Sequence, residues 1–181
     1  MLRRVKELDA RITSGERVPS IQGMSRGLIG ATVGIIGMGD IAYEFAKYLV
    51  PFKCRLLVFS PTSPESRWNV PDARYPTAIA HERFENLQEM LQLVDLVSVH
   101  CPLNRETRGL IGSAELAGMK RSAVLVNTAR GGIIDEAALV HALKEGQVGG
   151  AGLDVFETEP AFGENLGELG KMQNVICVPH M

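Results

Sequence analysis

Short apolar runs alternate with segments of helical periodicity along most of the chain. Val33, Ile35 and Ile36 form a β-branched run of the kind carried by a strand covered on both faces. Past Gly37-Met38-Gly39, the residues Ile41, Ala42, Phe45, Ala46, Leu49 and Val50 recur at helical spacing and predict a helix with that face against a sheet. Pro51 marks its exit, and residues 54–59 read as a second strand. Residues 60–82 carry Pro61, Pro64, Pro71 and Pro76 and predict no regular element. A helix follows at 86–94, with Asn86 as its cap, Glu89 three residues on, and Leu87, Met90, Leu91 and Val94 on its apolar face. Strands are predicted at 96–99, 123–127, 148–153 and 175–178. Between them lie a short helix from Ser113 and a helix capped by Asp135, faced by Ala138, Leu139, Ala142 and Leu143 and stopped by Gly146. Ahead of all this, residues 2–14 predict a helix with Leu2, Val5, Leu8 and Ile12 near one face, ended by Gly15. Residues 15–30 read as a connecting loop.

Apolar strands alternating with helices predict an α/β fold, a parallel sheet wound on both sides. In such a sheet ligands bind beyond the carboxyl ends of the strands. The unusual polar residues fall at those ends: Gly37-Met38-Gly39, Ser60, His100-Cys101, Thr128-Ala129-Arg130, Asp154 and His180. One crevice is expected to collect them.

The stretch from Thr32 to Ala42 carries the most specific chemistry. Gly37 and Gly39 let the backbone turn sharply and let a ligand approach it. The helix that follows offers unpaired N–H groups and a positive dipole end, which suit a pyrophosphate. With Ala42 as the small residue where helix and strand pack closely, the pattern G-x-G-x-x-A is a dinucleotide-binding fingerprint in its proper strand–turn–helix setting.

The totals narrow the rest. At 181 residues, 45% of them hydrophobic, the chain fits one folded domain with a sizeable core. A net charge of −2 without a basic block argues against nucleic acid as a partner. Cys54, Cys101 and Cys177 form neither a CxxC nor a His-Cys cluster of metal-ligand spacing, so they read as reduced thiols of a cytosolic protein that holds no metal. No apolar signal core opens the chain and no stretch is long and apolar enough to span a bilayer, so no membrane is expected.

Three ionisable residues stand out. Arg130 follows a strand and precedes two glycines, where a guanidinium could hold a carboxylate by two parallel bonds and polarise a neighbouring carbonyl. Glu159 is held extended by Pro160. His180 follows Pro179, and histidine is a side chain suited to give and take a proton. Together they suggest a histidine that exchanges a proton with a substrate oxygen, a glutamate that stabilises its charged form, and an arginine that orients the substrate.

Val33-Gly34-Ile35-Ile36-Gly37-Met38-Gly39-Asp40-Ile41, His100-Cys101-Pro102-Leu103-Asn104, Asn127-Thr128-Ala129-Arg130-Gly131-Gly132, Asp154-Val155-Phe156-Glu157-Thr158-Glu159-Pro160 and Pro179-His180 resemble the D-isomer-specific 2-hydroxyacid dehydrogenases, in the family's order and over almost the whole chain. The resemblance implies a Rossmann-type dinucleotide-binding domain at 31–181, preceded by an interdomain-type helix and connecting loop at 1–30, with the substrate-binding domain absent from this chain. It implies NAD or NADP as cofactor and hydride transfer to or from a small 2-hydroxy or 2-oxo acid such as phosphoglycerate, glyoxylate or hydroxypyruvate. It also implies a homodimer and the catalytic set Arg130, Glu159 and His180. The cofactor contacts it implies are Gly37, Met38, Gly39, Asp40, Ile41, Ser60, His100, Cys101, Pro102, Thr107, Thr128, Ala129, Arg130, Asp154 and His180. One departure is visible: where an acid usually binds the ribose hydroxyls after the second strand, this chain has Ser60. Arg67, a few residues on, could reach a 2′-phosphate. A non-catalytic dinucleotide-binding or redox-sensing module is the rival expectation. It would not require the intact Arg130, Glu159 and His180 set.

Overall fold

A computed structural model describes residues 4–23 and 27–180 of the chain. Seven strands form one sheet: β1 (Thr32–Ile36), β2 (Arg55–Phe59), β3 (Glu82–Phe84), β4 (Leu96–Val99), β5 (Val124–Asn127), β6 (Gly150–Leu153) and β7 (Val175–Cys177). Every pairing is parallel, in the order β3-β2-β1-β4-β5-β6-β7. The helices are α1 (Val5–Thr13), α2 (Asp40–Leu49), α3 (Leu87–Leu93), α4 (Ser113–Gly118) and α5 (Glu136–Lys144). This is the doubly wound α/β sheet that the alternation predicts.

Side chains alternate across the strands, so the two faces build separate cores. Val33, Ile35 and Val58 pack with Ala42, Tyr43, Ala46 and Leu49 of α2 on one face. Ile36, Leu57, Val97, Val99 and Leu125 pack with α3, α4 and α5 on the other. Gly34 faces this crowding: a Cβ there would lie 2.8 Å from Val94 Cγ1. Both predicted caps form. Asn86 accepts from the N–H groups of Gln88 and Glu89, and Asp135 accepts from that of Ala138.

The strand order reverses between β1 and β4, which opens a crevice at the carboxyl edge there. The register runs level across that edge, pairing Phe59 with Ile36, Ile36 with Val99, Val99 with Asn127, Asn127 with Leu153, and Leu153 with Cys177. The next residues, Ser60, Gly37, His100, Thr128 and Asp154, therefore emerge on one rim.

Several expectations need correction. Ile41 and Val50 do not face the sheet; they are 75% and 55% exposed. Tyr43 is buried instead, because α2 presents Ala42, Tyr43, Ala46 and Leu49 inward, and its hydroxyl donates to Thr77 O (2.7 Å) while accepting from Thr77 N (2.8 Å). The predicted apolar face of the first helix buries nothing: Val5 is 64% and Ile12 is 61% exposed, and Leu2 lies outside the described residues. Lys6 Nζ ties α1 to the sheet by donating to Met172 O and Val175 O, both at 2.9 Å. The proline-rich stretch ends one residue sooner than expected, at the short strand β3 along β2. Within that stretch Trp68 is fully buried, with its ring 5.9 Å from that of Tyr43.

Candidate active site

The glycine turn leads directly from β1 into α2. Gly37 has φ +100°, and a Cβ there would stand 3.0 Å from the backbone of His100 and Cys101. No other residue type meets both conditions comfortably. Gly39 differs. Its φ is ordinary and nothing lies within 4 Å of where its Cβ would be. The sharp bend belongs to Gly37, and Gly39 keeps open space above the start of α2. No side chain caps α2, so its first N–H groups face that space with the positive end of the helix dipole.

A groove of about 350 Å³ runs over this turn. Gly37, Met38 and Gly39 form its floor. Ser60 to Ser63 and Arg67 come from the β2 side, and His100, Cys101, Pro102, Asn104, Glu106 and Thr107 come from the β4 side. Both walls are fixed by internal bonds. Ser60 Oγ and Ser63 Oγ are 2.8 Å apart, and Arg83 donates to the carbonyls of Ser60, Ser63 and Pro64 at 2.9, 2.9 and 2.7 Å. Thr107 Oγ1 donates to Pro102 O at 2.6 Å and accepts from Asn104 N at 2.8 Å. His100 lies with its ring 5.2 Å from that of Phe45 and its Nε2 2.9 Å from Ser98 Oγ. Burial pushes its pKa down to about 4, so it is neutral near pH 7. Burial likewise pushes the Cys101 thiol up, which keeps it protonated.

Further along the same rim a second hollow of about 410 Å³ is lined by Asp154, Phe156, Glu159, Pro160, Ala161, Phe162, Pro179 and His180. Here His180 Nδ1 meets Glu159 Oε2 at 3.0 Å, and Glu159 Oε1 accepts from Phe156 N at 3.2 Å. The hydrogen bond from His180 is the largest cause holding the Glu159 carboxyl below its ordinary range; the backbone bond and the charge of Arg130 add to it. A carboxylate at Nδ1 favours the tautomer that carries its proton there. His180 has φ +58°, a left-handed conformation that histidine adopts uncommonly.

The expected single crevice is therefore two hollows on one edge. Thr128, Ala129 and Arg130 leave β5 between them and line neither, and Asp40 and Ile41 also stay outside both. The Asp40 carboxylate is taken by Arg74 in a paired contact of 2.7 Å at each oxygen. The loop after β5 is braced by Asn127, a buried side chain whose Nδ2 donates to Arg130 O (2.9 Å) and whose Oδ1 accepts from Ala129 N (3.0 Å). Sequence reasoning missed Asn127 and Arg83 as supports. A polar residue ending an otherwise apolar strand was a signal for the first. Nothing local marked the second.

The residues fit a dinucleotide: a left-handed glycine against the neighbouring loop, an open position above a helix start, and a groove extending to both sides. A family model for the NAD binding domain of D-isomer specific 2-hydroxyacid dehydrogenases matches residues 1–181. The chain belongs to this family. The glyoxylate reductase of Thermococcus litoralis is 40% identical over 185 residues, covering 99% of this chain and 52% of that protein. A D-isomer specific 2-hydroxyacid dehydrogenase from Lactobacillus delbrueckii, solved as its NAD complex, superposes with a TM-score of 0.81 at 28% identity, covering 99% of this chain and 55% of that one. An NADPH-dependent glyoxylate/hydroxypyruvate reductase from Sinorhizobium meliloti gives 0.80 at 27% identity, covering 99% and 66%. The chain thus spans about half the length of the curated relatives it matches. What matches is the dinucleotide-binding part of the family, so this chain is a nicotinamide dinucleotide-binding domain. Among its described residues no helix is long and apolar enough to cross a membrane, and no group of side chains could hold a metal.

Proposed function

We propose that this domain serves a reductase or dehydrogenase of small D-2-hydroxy and 2-oxo acids, of the glyoxylate or hydroxypyruvate type. The observation that carries the proposal is the Glu159–His180 pair on the same rim as the glycine turn. In this reading Gly37, Met38, Gly39 and the start of α2 hold the pyrophosphate. Ser60 and the walls around His100, Cys101, Pro102 and Thr107 hold the adenosine side, and Thr128, Ala129, Arg130 and Asp154 lie toward the nicotinamide. A bound nicotinamide supplies or accepts the hydride. His180 Nε2 gives a proton to the carbonyl oxygen in reduction and takes it back in oxidation. Glu159 fixes the orientation of the imidazole through its bond to Nδ1. Arg130 holds the substrate carboxylate through its planar fork. A homodimer in the cytoplasm belongs to the same reading. Apolar surface for a second copy is supplied by Ile41 and Tyr48 of α2 with Val50 and Phe52 beyond it, all exposed.

The test compares wild type with His180→Ala in the complete gene product, assaying glyoxylate and hydroxypyruvate reduction beside dinucleotide titration. The variant is expected to lose at least about 100-fold in kcat, as removal of a general acid does, with dinucleotide affinity nearly unchanged. Undiminished turnover would remove His180 from the mechanism. Dinucleotide binding with no turnover of any 2-oxo acid by the wild type would favour the non-catalytic module instead.

A further inference from the structure

The chemistry proposed above is divided among loops that leave three different strands. Arg130 follows β5, Glu159 follows β6 and His180 follows β7. Acting together requires a fixed spacing between these loops, and they are not equally secured. The chain beyond Arg130 is anchored. Ile133 and Ile134 are buried, and Ile111 binds the backbone around them: its N–H donates to Ile133 O (3.1 Å) and its carbonyl accepts from Asp135 N (3.0 Å). Glu136, the first residue of α5, follows directly on this anchored segment. The stretch bearing Glu159 has less to hold it, and its residues from Glu157 to Pro160 are all exposed.

One pair of side chains joins the two. Glu157 Oε1 accepts from Glu136 N at 3.1 Å, and Glu136 Oε1 accepts from Glu157 N at 2.6 Å. Each carboxylate thus receives the backbone N–H of the other residue, 21 positions away. The Glu136 N–H is one of the donors that a helix start leaves without an intrahelical partner, and an anion is favoured there. The Glu157 N–H lies two residues before Glu159, and the neighbouring N–H, of Phe156, is taken by Glu159 itself. Burial pushes the Glu136 carboxyl above its ordinary range; the bond from Glu157 N–H opposes this, and the Glu157 charge adds to it. Like charges this close disfavour one another. What the pair supplies is two directional bonds in opposite senses, which fix both distance and orientation.

Resting on the reductase reading above, we propose that Glu136 and Glu157 are positioning residues, a two-way clamp that holds the Glu159–His180 pair in register with the Arg130 loop. Neither side chain lines the two hollows. Each acts through the backbone that carries Glu159.

The experiment compares Glu136→Ala, Glu157→Ala and the corresponding glutamine variants with wild type in the complete gene product. Glu157 is exposed, so its alanine variant removes no core contact. Three quantities are read well below the thermal midpoint: kcat and KM for glyoxylate and hydroxypyruvate, dinucleotide affinity, and the His180 ring signals by NMR, assigned from their loss in His180→Ala. The alanine variants are expected to lose about 10- to 100-fold in kcat, the range that a displacement of up to about 1 Å produces, with dinucleotide affinity within about twofold of wild type. Glutamine keeps an acceptor oxygen at the same reach, so both glutamine variants should recover most of the lost rate. The His180 signals should move in the alanine variants and return toward their wild-type positions in the glutamine ones. A pair that serves the fold alone would lower only the midpoint, so alanine variants with wild-type kcat, or with unmoved His180 signals, would overturn the clamp. Equal losses of kcat and dinucleotide affinity would overturn it too, because the pair would then support the whole sheet edge. A wild type that turns over no 2-oxo acid would instead overturn the reductase reading, and the His180 signals alone would then decide the clamp.

Discussion

Gly131 is where the loop bearing Arg130 touches the loop bearing Glu159. Its φ lies outside the left-handed region, so the demand for glycine is purely one of space. A Cβ there would stand 1.8 Å from Phe156 O, 2.2 Å from Phe156 C and 2.8 Å from Glu157 N. All three are backbone atoms, so no rotamer change relieves the clash, and Gly131→Ala must part the two loops by more than an ångström. Overpacking of this kind costs about 1–3 kcal/mol, and a contact with unyielding backbone belongs near the top of that range. For a domain of this size each kcal/mol lowers the midpoint by about 2–4 °C, so a fall of about 5–10 °C is expected. The same displacement shifts Arg130 relative to Glu159 and His180. A misplacement of about 1 Å can cost about 100-fold in rate. The assay is thermal denaturation by circular dichroism, with turnover of the complete gene product and dinucleotide titration alongside. Gly118→Ala, whose added carbon would approach nothing closer than 3.8 Å, is the control for adding a methyl group to the chain. A Gly131→Ala protein with the midpoint and kcat of wild type would refute the reasoning. A large fall in dinucleotide affinity with kcat preserved would show that the contact supports the groove rather than the dyad.

Other expectations concern stability. His100 has its pKa pushed down to about 4 by burial, while an unfolded histidine titrates near 6.5, so the unfolded chain binds the extra proton between those values. Stability should therefore rise with pH through that window and be lost as pH falls from about 6.5 toward 4, by about 3 kcal/mol at most. Urea titrations at several pH values should show this slope in wild type and a flatter one in His100→Gln. Asn86→Ala removes the acceptor of the Gln88 and Glu89 N–H groups and should cost about 1 kcal/mol, visible as a midpoint lowered by about 2–4 °C.

Much of this architecture was legible because the strands are short apolar runs between strong punctuation. Gly37, Asn86 and Asp135 each act locally, so their turn and caps could be read from neighbours a few residues away. What escaped were features decided at long range. Ile41 and Tyr43 differ by two positions on one helix, and only the loop that covers Tyr43 through Thr77 decides which of them is buried. β3 is three residues long and exists because β2 offers it an edge. The carboxyl-edge residues were found from topology, since every strand end in a parallel sheet opens on one rim. Arg83 acts on the carbonyls of Ser60, Ser63 and Pro64, remote from it in sequence, and Asn127 acts inside its own motif, on Ala129 N and Arg130 O, through a fold of the loop that spacing does not reveal.

The brace around Arg130 has a mechanical meaning. Asn127 pins the backbone on both sides of the turn, yet the guanidinium itself is exposed and donates to Ala129 O beside it. A rigid shoulder therefore carries a loose arm. In the proposed role, clamping a carboxylate would arrest a side chain that holds about 2 kcal/mol of rotamer entropy, so the grip would tighten only when a substrate stops the swing.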